Sequence, residues 1–208
     1  MTGNRRTNDP QGVRRRIIDA AYDAFVSQGY IATGMLELRE KASVSGGAMA
    51  HHFPAKRELG LAVIHDRVAE AVRQTWIEPL DACADAPMAI DLIFANIISE
   101  LTRKGSVSGC PLNNMAMEVS RHDPEMRDVL SGVFDAWHEA LSAKFEADLA
   151  SKHVRDLNPS SLATLVIAAY SGAMAIAKAR QDVGPLVDCR AELAAFLASK
   201  YRLATRAS

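Results

Sequence analysis

The sequence predicts an all-α protein of about nine helices, and two observations carry this prediction. Apolar residues recur at helical spacing along most of the chain, whereas the alternation typical of strands hardly occurs. Helix start and stop signals, such as Asn158-Pro159 and Gly29, separate these stretches. The 208 residues are 49 % hydrophobic and 24 % charged, which suits a folded protein and excludes collagen-like or wholly disordered chains.

Three short helices are predicted at the start of the chain. The first begins near Val13 and ends at Gly29, a residue type that commonly terminates helices. Thr33 is expected to cap the second helix. A turn across residues 43–47 leads to the third helix, which ends near His52. We call the part of the chain up to about residue 58 the head and the remainder the body.

Six longer or more apolar helices follow. Their apolar stripes and start signals place them at about residues 54–80, 88–101, 111–120, 124–149, 159–181 and 189–203. The helix at 159–181 is apolar on almost every side, so it must be covered all round, and a second copy of the chain is the natural cover. The predicted dimer interface comprises Leu162, Leu165, Ala169, Gly172, Ala173, Ile176, Leu193, Leu197 and Tyr201.

The longest charge-free run, residues 157–177, is long enough to raise the question of a membrane span. Polar and helix-breaking residues within it favour a buried helix of a soluble bundle instead. The Arg-rich N-terminus lacks the apolar region of a secretory signal. The cysteines, Cys83, Cys110 and Cys189, form no CxxC pair. We therefore expect a cytoplasmic protein with reduced thiols and without a membrane, metal or cofactor.

A helix-turn-helix motif is indicated at about residues 34–53, where two short helices flank a tight turn. Around this motif, over about residues 13–60, the chain resembles TetR/AcrR-type bacterial transcriptional regulators. The matching residues are Gly29, Tyr30, Thr33, Leu38, Val44, Ser45, Gly47, Ala48, His51, His52, Phe53 and Lys56. The resemblance implies a homodimeric repressor that binds a double-stranded DNA operator through residues 13–58. Residues 59–208 would bind a small-molecule effector and dimerise, and residues 1–12 would form a flexible basic arm.

Four positions depart from the residues usual in that family. Arg39 stands where alanine is usual, and Ser43 where glycine is usual. Gly46 replaces a polar or basic residue, and Ala50 replaces a tyrosine that commonly contacts a phosphate. One expected contact to the DNA backbone is therefore missing. Arg39 either reaches a phosphate or extends to solvent.

The predicted DNA contacts lie in and beside the motif. Small side chains at the start of its second helix allow close approach to base edges. Thr33 and Lys56 are expected near phosphates, although Thr33 suits a plain helix-capping role equally well. For Met49, packing in the core is as compatible with the sequence as a contact to DNA. For His51 and His52, a surface or helix-capping role is the alternative to a contact near phosphate. The complete set is Thr33, Arg39, Ser45, Gly46, Gly47, Ala48, Met49, His51, His52 and Lys56.

The distribution of charge supports this prediction where the net charge does not. The whole chain has a formal charge of −1, which by itself argues against a nucleic-acid partner. Residues 1–60 contain nine Lys/Arg and six Asp/Glu, a charge of +3, while the rest of the chain carries −4. An acidic body would be repelled by DNA and would orient the basic head toward it.

An effector pocket is predicted in the body from aromatic and sulfur-containing side chains, which suit adaptable apolar sites. The resemblance places eight of them around a ligand: Trp76, Phe94, Cys110, Met115, Met117, Phe134, Trp137 and His138. Ordinary core packing is the competing interpretation for each of these residues. Cys110 precedes a predicted helix at Pro111, a position that can lower a thiol pKa, so a redox role is a further hypothesis.

No nucleophile elbow, phosphate-binding loop, dinucleotide-binding motif or zinc-protease motif occurs in the sequence, so no catalytic residue is assigned and the protein is not expected to be an enzyme. The alternative to a DNA-binding repressor is an all-helical ligand-binding or interaction protein with weakened DNA binding. Gly46 and Ala50, which depart from the family pattern, give that alternative its support.

Overall fold

Nine helices and no strands make up the described part of the chain, residues 9–152 and 158–202 of a computed structural model, which confirms the predicted all-α class. The helices are α1 (Pro10–Gln28), α2 (Met35–Lys41), α3 (Gly46–His52), α4 (Lys56–Ala82), α5 (Ala86–Lys104), α6 (Pro111–Val119), α7 (Pro124–Lys152), α8 (Pro159–Arg180) and α9 (Gly184–Arg202). Two of them, α1 and α9, begin several residues earlier than the sequence patterns predicted.

The start of α1 corrects the predicted extent of the basic arm. The Asp9 carboxylate accepts the amide hydrogen of Gly12 at 2.8 Å, which begins the helix at Pro10 rather than near Val13. The last residues of the predicted arm are therefore the first turn of α1. Residues 1–8, which include Arg5 and Arg6, lie outside the described residues.

The long helix α4 runs without a break but contains two π-helical segments, Ile64–Val68 and Arg73–Ile77. It begins at Lys56 because Ala55 has an extended backbone, with φ −130° and ψ 149°. Each π-helical turn takes in an extra residue and so shifts the face on which later side chains lie. Trp76, in the second segment, is buried in the core of the body.

One hydrophobic core joins the head to the body. In the head, α1 packs against α2, α3 and α4, and its buried residues Ile17, Ala21 and Phe25 share a core with Leu38 and Met49. The same cluster of buried residues continues into the body without interruption. The helix α1 also contacts α6, so the head and the body meet at this pair of helices.

The helix α8 packs between α7 and α9, and α9 packs in turn against α5. In the described part of the chain, α8 is the one helix long and apolar enough to cross a membrane by length and composition. One of its faces belongs to the protein core, where Val166, Tyr170 and Ala177 are buried. The opposite face, with Leu165 and Ile176, is exposed on the single chain.

Four residues predicted at the dimer interface lie inside the protomer instead: Leu162, Ala173, Leu193 and Leu197. Each is at most 7 % exposed, because it faces neighbouring helices of its own chain. For Leu162 and Ala173 the sequence could not assign the face, since α8 is apolar on nearly every side. Tyr201 is half-buried, and its hydroxyl donates to the Asp148 carboxylate at 2.6 Å. The other predicted interface residues, which are Leu165, Ala169, Gly172 and Ile176, are exposed or half-buried on α8.

Candidate nucleic-acid interface and effector cavity

The turn between α2 and α3 is built by two serines. Ser43 has a φ of +53°, which is a left-handed conformation that favours glycine. A residue with a Cβ atom in this conformation lowers the stability of the fold by about 1 kcal/mol. Its amide donates to the Glu40 carbonyl at 3.0 Å, which closes the end of α2. The exposed Ser45 accepts the amide hydrogen of the half-buried Ala48 at 3.1 Å through its hydroxyl oxygen and caps α3. The chain thus keeps the tight turn of the motif without glycine at its left-handed position.

The outer face of α3 carries small side chains. Gly46, Gly47 and Ala50 are exposed, and a Cβ added to Gly47 would meet no atom within 4 Å. His51 is exposed and His52 is half-buried, with their ring centroids 5.1 Å apart in an edge-on arrangement. A helix face of this kind can approach base edges in a major groove closely.

Arg39 lies beside the start of α3. Its Nη1 atom is 3.9 Å from the position of a Cβ added to Gly46, and its side chain is 38 % exposed. Its Nη2 atom pairs with the Glu40 carboxylate at 3.5 Å. The guanidinium group therefore adds positive charge next to the exposed face of α3, where a DNA backbone would pass.

Two predicted DNA contacts are corrected by the structure. Thr33 is 1 % exposed, and its hydroxyl donates to the Gly29 carbonyl at 2.7 Å, which ties the turn to the end of α1. The residue at the cap of α2 is Gly34, without a side-chain hydrogen bond. Met49 is 5 % exposed and packs in the core of the head. Neither side chain is accessible to DNA in this conformation.

Lys56 begins α4 and is attached to the turn between α1 and α2. Its ammonium group donates to the Ile31 carbonyl at 3.2 Å and lies 4.5 Å from the centre of the Tyr30 ring. Partial burial lowers its pKa, and the nearby Glu118 carboxylate opposes that shift. An ammonium group has three hydrogens, so this contact leaves Lys56 able to donate to a phosphate as well.

Side-chain contacts connect the head to the body near the same turn. The Glu118 carboxylate, on α6, accepts the amide hydrogens of Tyr30 at 3.2 Å and Ile31 at 2.8 Å. Arg57, on α4, pairs with Asp123 at 2.6 Å, next to the start of α7. Hydrogen bonds to Asp123 raise the pKa of Arg57, and Arg57 lowers the pKa of Asp123. The sequence did not predict these contacts between head and body, because the residues that form them are distant along the chain.

A cavity of about 40 Å³, partly open to solvent, lies where α4, α6, α7 and α8 meet. It is lined by Val68, Ala71, Val72, Thr75, Trp76, Cys110, Pro111, Leu112, Trp137 and Tyr170. Of the predicted pocket residues, Trp76, Cys110 and Trp137 line it. Its unpredicted aromatic member is Tyr170, whose ring centroid is 4.9 Å from that of Trp76. The π-helical register of α4 and the buried face of α8 bring these rings together.

The other predicted pocket residues have different surroundings. Phe94 packs edge-on against Trp76, and the half-buried Phe134 stacks on Trp137 from outside the cavity. Met115 is buried but does not line the cavity.

The predictions of Met117 and His138 are also wrong for this cavity, because neither residue lines it. Met117 is 87 % exposed, because it lies on the outer face of α6, and it lines a groove of about 550 Å³ between α6 and α8. His138 is turned toward the start of α8, where its Nε2 atom is 2.9 Å from the Ser160 carbonyl oxygen.

The environment of Cys110 opposes the redox hypothesis. Burial of the thiol raises its pKa, although the nearby backbone amides and the Tyr170 hydroxyl act in the opposite direction. Burial also raises the pKa of Tyr170 well above its usual range. Both groups are therefore neutral near pH 7, and a thiol in this form is a poor nucleophile.

Comparison with known proteins matches both parts of the chain. Residues 17–63 match the model of bacterial regulatory proteins of the tetR family, and residues 86–192 match the model of the LmrA/YxaF-like transcriptional regulator C-terminal domain. The chain is 22 % identical to the transcriptional regulator LmrA of Bacillus subtilis, over 84 % of this chain and 90 % of that protein. It is 25 % identical to the transcriptional repressor DhaR of a Mycobacterium species, over 84 % and 86 % of the two chains.

Solved structures share the fold. A TetR transcriptional regulator from Chloroflexus aurantiacus superposes with a TM-score of 0.82 at 26 % identity, over 92 % of this chain and 96 % of that one. The matched relatives are transcriptional regulators and not enzymes, and a DNA-binding helix-turn-helix domain is part of their family. The chain belongs to the TetR family of DNA-binding bacterial transcriptional regulators.

Proposed function

We propose that this regulator is a cytoplasmic homodimeric repressor that binds a near-palindromic operator and releases it when a small molecule occupies the body. The observation that carries this proposal is the position of α6. Its N-terminal end lines the cavity through Cys110, Pro111 and Leu112, and in its last turn Glu118 accepts hydrogen bonds from the head. One nine-residue helix therefore touches both the effector cavity and the DNA-binding head.

The DNA contacts in this proposal come from the exposed end of α3 and its neighbours. Ser45, Gly46, Gly47 and Ala48 approach base edges, while Arg39, Lys56 and the histidines of α3 lie near phosphates. Residues 13–58 form the DNA-binding domain, and residues 59–208 form the effector-binding and dimerisation domain. The basic arm supplies further positive charge.

The dimer in this proposal forms through the outer faces of α8 and α9. Leu165 and Ile176 on α8 are 43 % and 47 % exposed, and Val187 and Phe196 on α9 are 46 % and 38 % exposed. At Gly172, between them, an added Cβ would meet no atom within 4 Å, so another backbone can approach there. Pairing of these faces between two copies would remove an exposed apolar surface from water.

Release of DNA follows from the packing of α6. A core packed at crystal-like density transmits a displacement rather than absorbing it. An effector that moves the first turn of α6 would also move Glu118, which is bonded to the backbone at Tyr30 and Ile31. The head would then shift in relation to its partner, and the two copies of α3 would no longer match half-sites spaced about 34–36 Å apart, or a multiple of that distance.

The test is operator selection with the full-length protein, followed by binding measurements on the selected duplex. We expect a dimer on a near-palindromic site, with affinity that falls steeply as salt increases because several phosphates are neutralised. Binding that is independent of salt, or equal on selected and random duplexes, would contradict the proposal. That result would favour an all-helical ligand-binding or interaction protein with weakened DNA binding.

A further inference from the structure

We propose that the cavity between α4, α6, α7 and α8 binds a neutral aromatic effector whose uncharged oxygen accepts the indole N–H of Trp137. This inference rests on the proposed function and specifies the chemical class of its effector. It depends on an unpartnered hydrogen-bond donor, on the neutrality of the cavity lining and on the arrangement of aromatic rings around it.

The unpartnered donor is the Nε1 atom of Trp137. The side chain is fully buried, and Nε1 is inaccessible and has no hydrogen-bond partner among residues 9–152 and 158–202. Buried tryptophan N–H groups usually have an acceptor, because an unmade hydrogen bond loses the hydration of the donor without replacement. Trp137 lines the cavity. In the proposed complex, the oxygen of the ligand is the acceptor that this donor lacks among the described residues.

The cavity lining excludes ligands that carry a full charge. No Asp, Glu, Lys, Arg or His is among the described residues that line it, and its two ionisable groups, Cys110 and Tyr170, are neutral near pH 7. A charged group would lose much of its hydration here without gaining a counter-ion. The effector is therefore neutral in the part that enters the cavity.

The aromatic rings favour a planar ligand and disfavour an organic cation. The Trp76 ring centroid is 4.7 Å from that of Trp137 and 4.9 Å from that of Tyr170, so the rings pack on one another. They do not stand apart as the walls of a cage for a quaternary ammonium group. A flat ring can extend this cluster through offset or edge-to-face contacts, while the N–H of Trp137 selects for an acceptor.

The size of the cavity links binding to release of DNA. Its volume of about 40 Å³ exceeds the minimum for a water molecule but falls short of the roughly 150 Å³ known to hold a benzene ring in an engineered protein. An aromatic ring that enters the cavity completely must therefore push the lining apart. Cys110 and Pro111, at the start of α6, form part of that lining, and the same helix holds the head through Glu118.

The test compares two probes of nearly the same shape on the DNA-free dimer. Acetophenone has a carbonyl oxygen, and α-methylstyrene has a methylene group in its place. The two tryptophans of the chain, Trp76 and Trp137, both line the cavity, so intrinsic fluorescence reports on it, and calorimetry gives the affinities. We expect acetophenone to bind about tenfold more tightly, as one hydrogen bond allows.

Two variants identify the group responsible. Trp137→Phe keeps an aromatic ring but removes the donor, so the preference for acetophenone should fall to about twofold or less. Trp76→Phe is the matched control: it weakens both probes through poorer packing and keeps the preference. If Trp137→Phe fails to fold, as judged by circular dichroism, the comparison of the two probes on the wild-type protein still decides.

Several outcomes would overturn the inference. The first is equal affinity of the wild-type protein for the two probes. The second is tighter binding of benzoate or benzyltrimethylammonium than of acetophenone. The third is failure of every probe to bind, which would leave water as the partner of Trp137. A separate titration of the protein–operator complex distinguishes this failure from failure of the proposed function. If the protein binds the operator but not acetophenone, only the proposed effector class is wrong. If it binds acetophenone but not the operator, only the proposed repressor function is wrong.

Discussion

The Glu118 carboxylate lies 2.8 Å from the backbone nitrogen of Ile31 and 3.2 Å from that of Tyr30. Two amides of the turn after α1 are thus bound by a side chain of α6, 87 residues away from Ile31 along the chain. Lys56 donates to the carbonyl of the same Ile31, so the turn is held by groups from the head and from the body.

Replacement of Glu118 by alanine should uncouple the effector from the operator. The variant leaves two amides without their acceptor, and we expect it to lose about 1 kcal/mol of unfolding free energy. The effector should then change operator affinity by a smaller factor than in the wild-type protein. Asp128→Asn is a suitable control, because Asp128 is an exposed carboxylate on α7 with a side chain 75 % exposed. An unchanged effector response in Glu118→Ala would refute this coupling.

Replacement of Lys56 by glutamine should weaken binding to all DNA sequences alike. Because the neutral side chain no longer neutralises a phosphate, the slope of log affinity against log salt should become shallower by about one. Fluorescence anisotropy on operator and random duplexes measures both quantities. Lys104→Gln removes a lysine of the body that pairs with Glu100, and it should leave the slope unchanged. A selective weakening on the operator alone would assign Lys56 to base recognition.

Replacement of Leu165 by aspartate should dissociate the proposed dimer. A carboxylate at the centre of an apolar interface has no partner and cannot keep its hydration. Analytical ultracentrifugation at micromolar protein should show a monomer. Leu92, on α5, is 45 % exposed, nearly the same as the 43 % of Leu165, so Leu92→Asp is a matched control that should remain dimeric. A dimeric Leu165→Asp protein would place the interface elsewhere.

Replacement of Ser43 by glycine should stabilise the protein by about 1 kcal/mol, because glycine adopts the left-handed conformation without the Cβ penalty. Gly105 provides the opposite change. It has a φ of +69°, and an added Cβ would meet no atom within 4 Å, so Gly105→Ala tests the backbone effect alone. We expect Gly105→Ala to lower the free energy of unfolding by about as much as Ser43→Gly raises it. Urea unfolding measures both, and changes of the same sign would disprove the explanation.

The pairing of Asp123 with Arg57 should make stability depend on pH in the acid range. The pKa of Asp123 is lower in the folded protein than in the unfolded chain, chiefly because of hydrogen bonds from Arg57. Its contribution is therefore fully present above the unfolded pKa of about 4 and is lost as pH falls through the folded pKa. Asp123→Asn should flatten this part of the curve of unfolding free energy against pH. If the wild-type and variant curves run parallel, Asp123 is not the cause of the loss of stability in acid.

Sequence patterns were sufficient for the local features of this protein. Helical periodicity, the start signals at Pro124 and Pro159, and the residues around Ser45 predicted the all-α class and the helix-turn-helix motif. These features depend on neighbours within a few residues, and such neighbours are visible in the sequence. The periodicity did not predict the π-helical segments of α4, because these are small changes of register within an otherwise regular helix.

The tertiary structure alone decided which faces turn inward and which distant groups meet. Thr33 could cap a helix or contact DNA by its sequence position, and packing turned it toward Gly29. The near-uniform apolarity of α8 left both of its faces equivalent until α7 and α9 covered one of them, which buried Leu162 and left Leu165 exposed. The contact of Glu118 with the head depends on how whole helices pack, and no local pattern encodes that arrangement. Periodicity therefore determines that a helix forms, whereas burial against the rest of the chain determines what each of its side chains can reach.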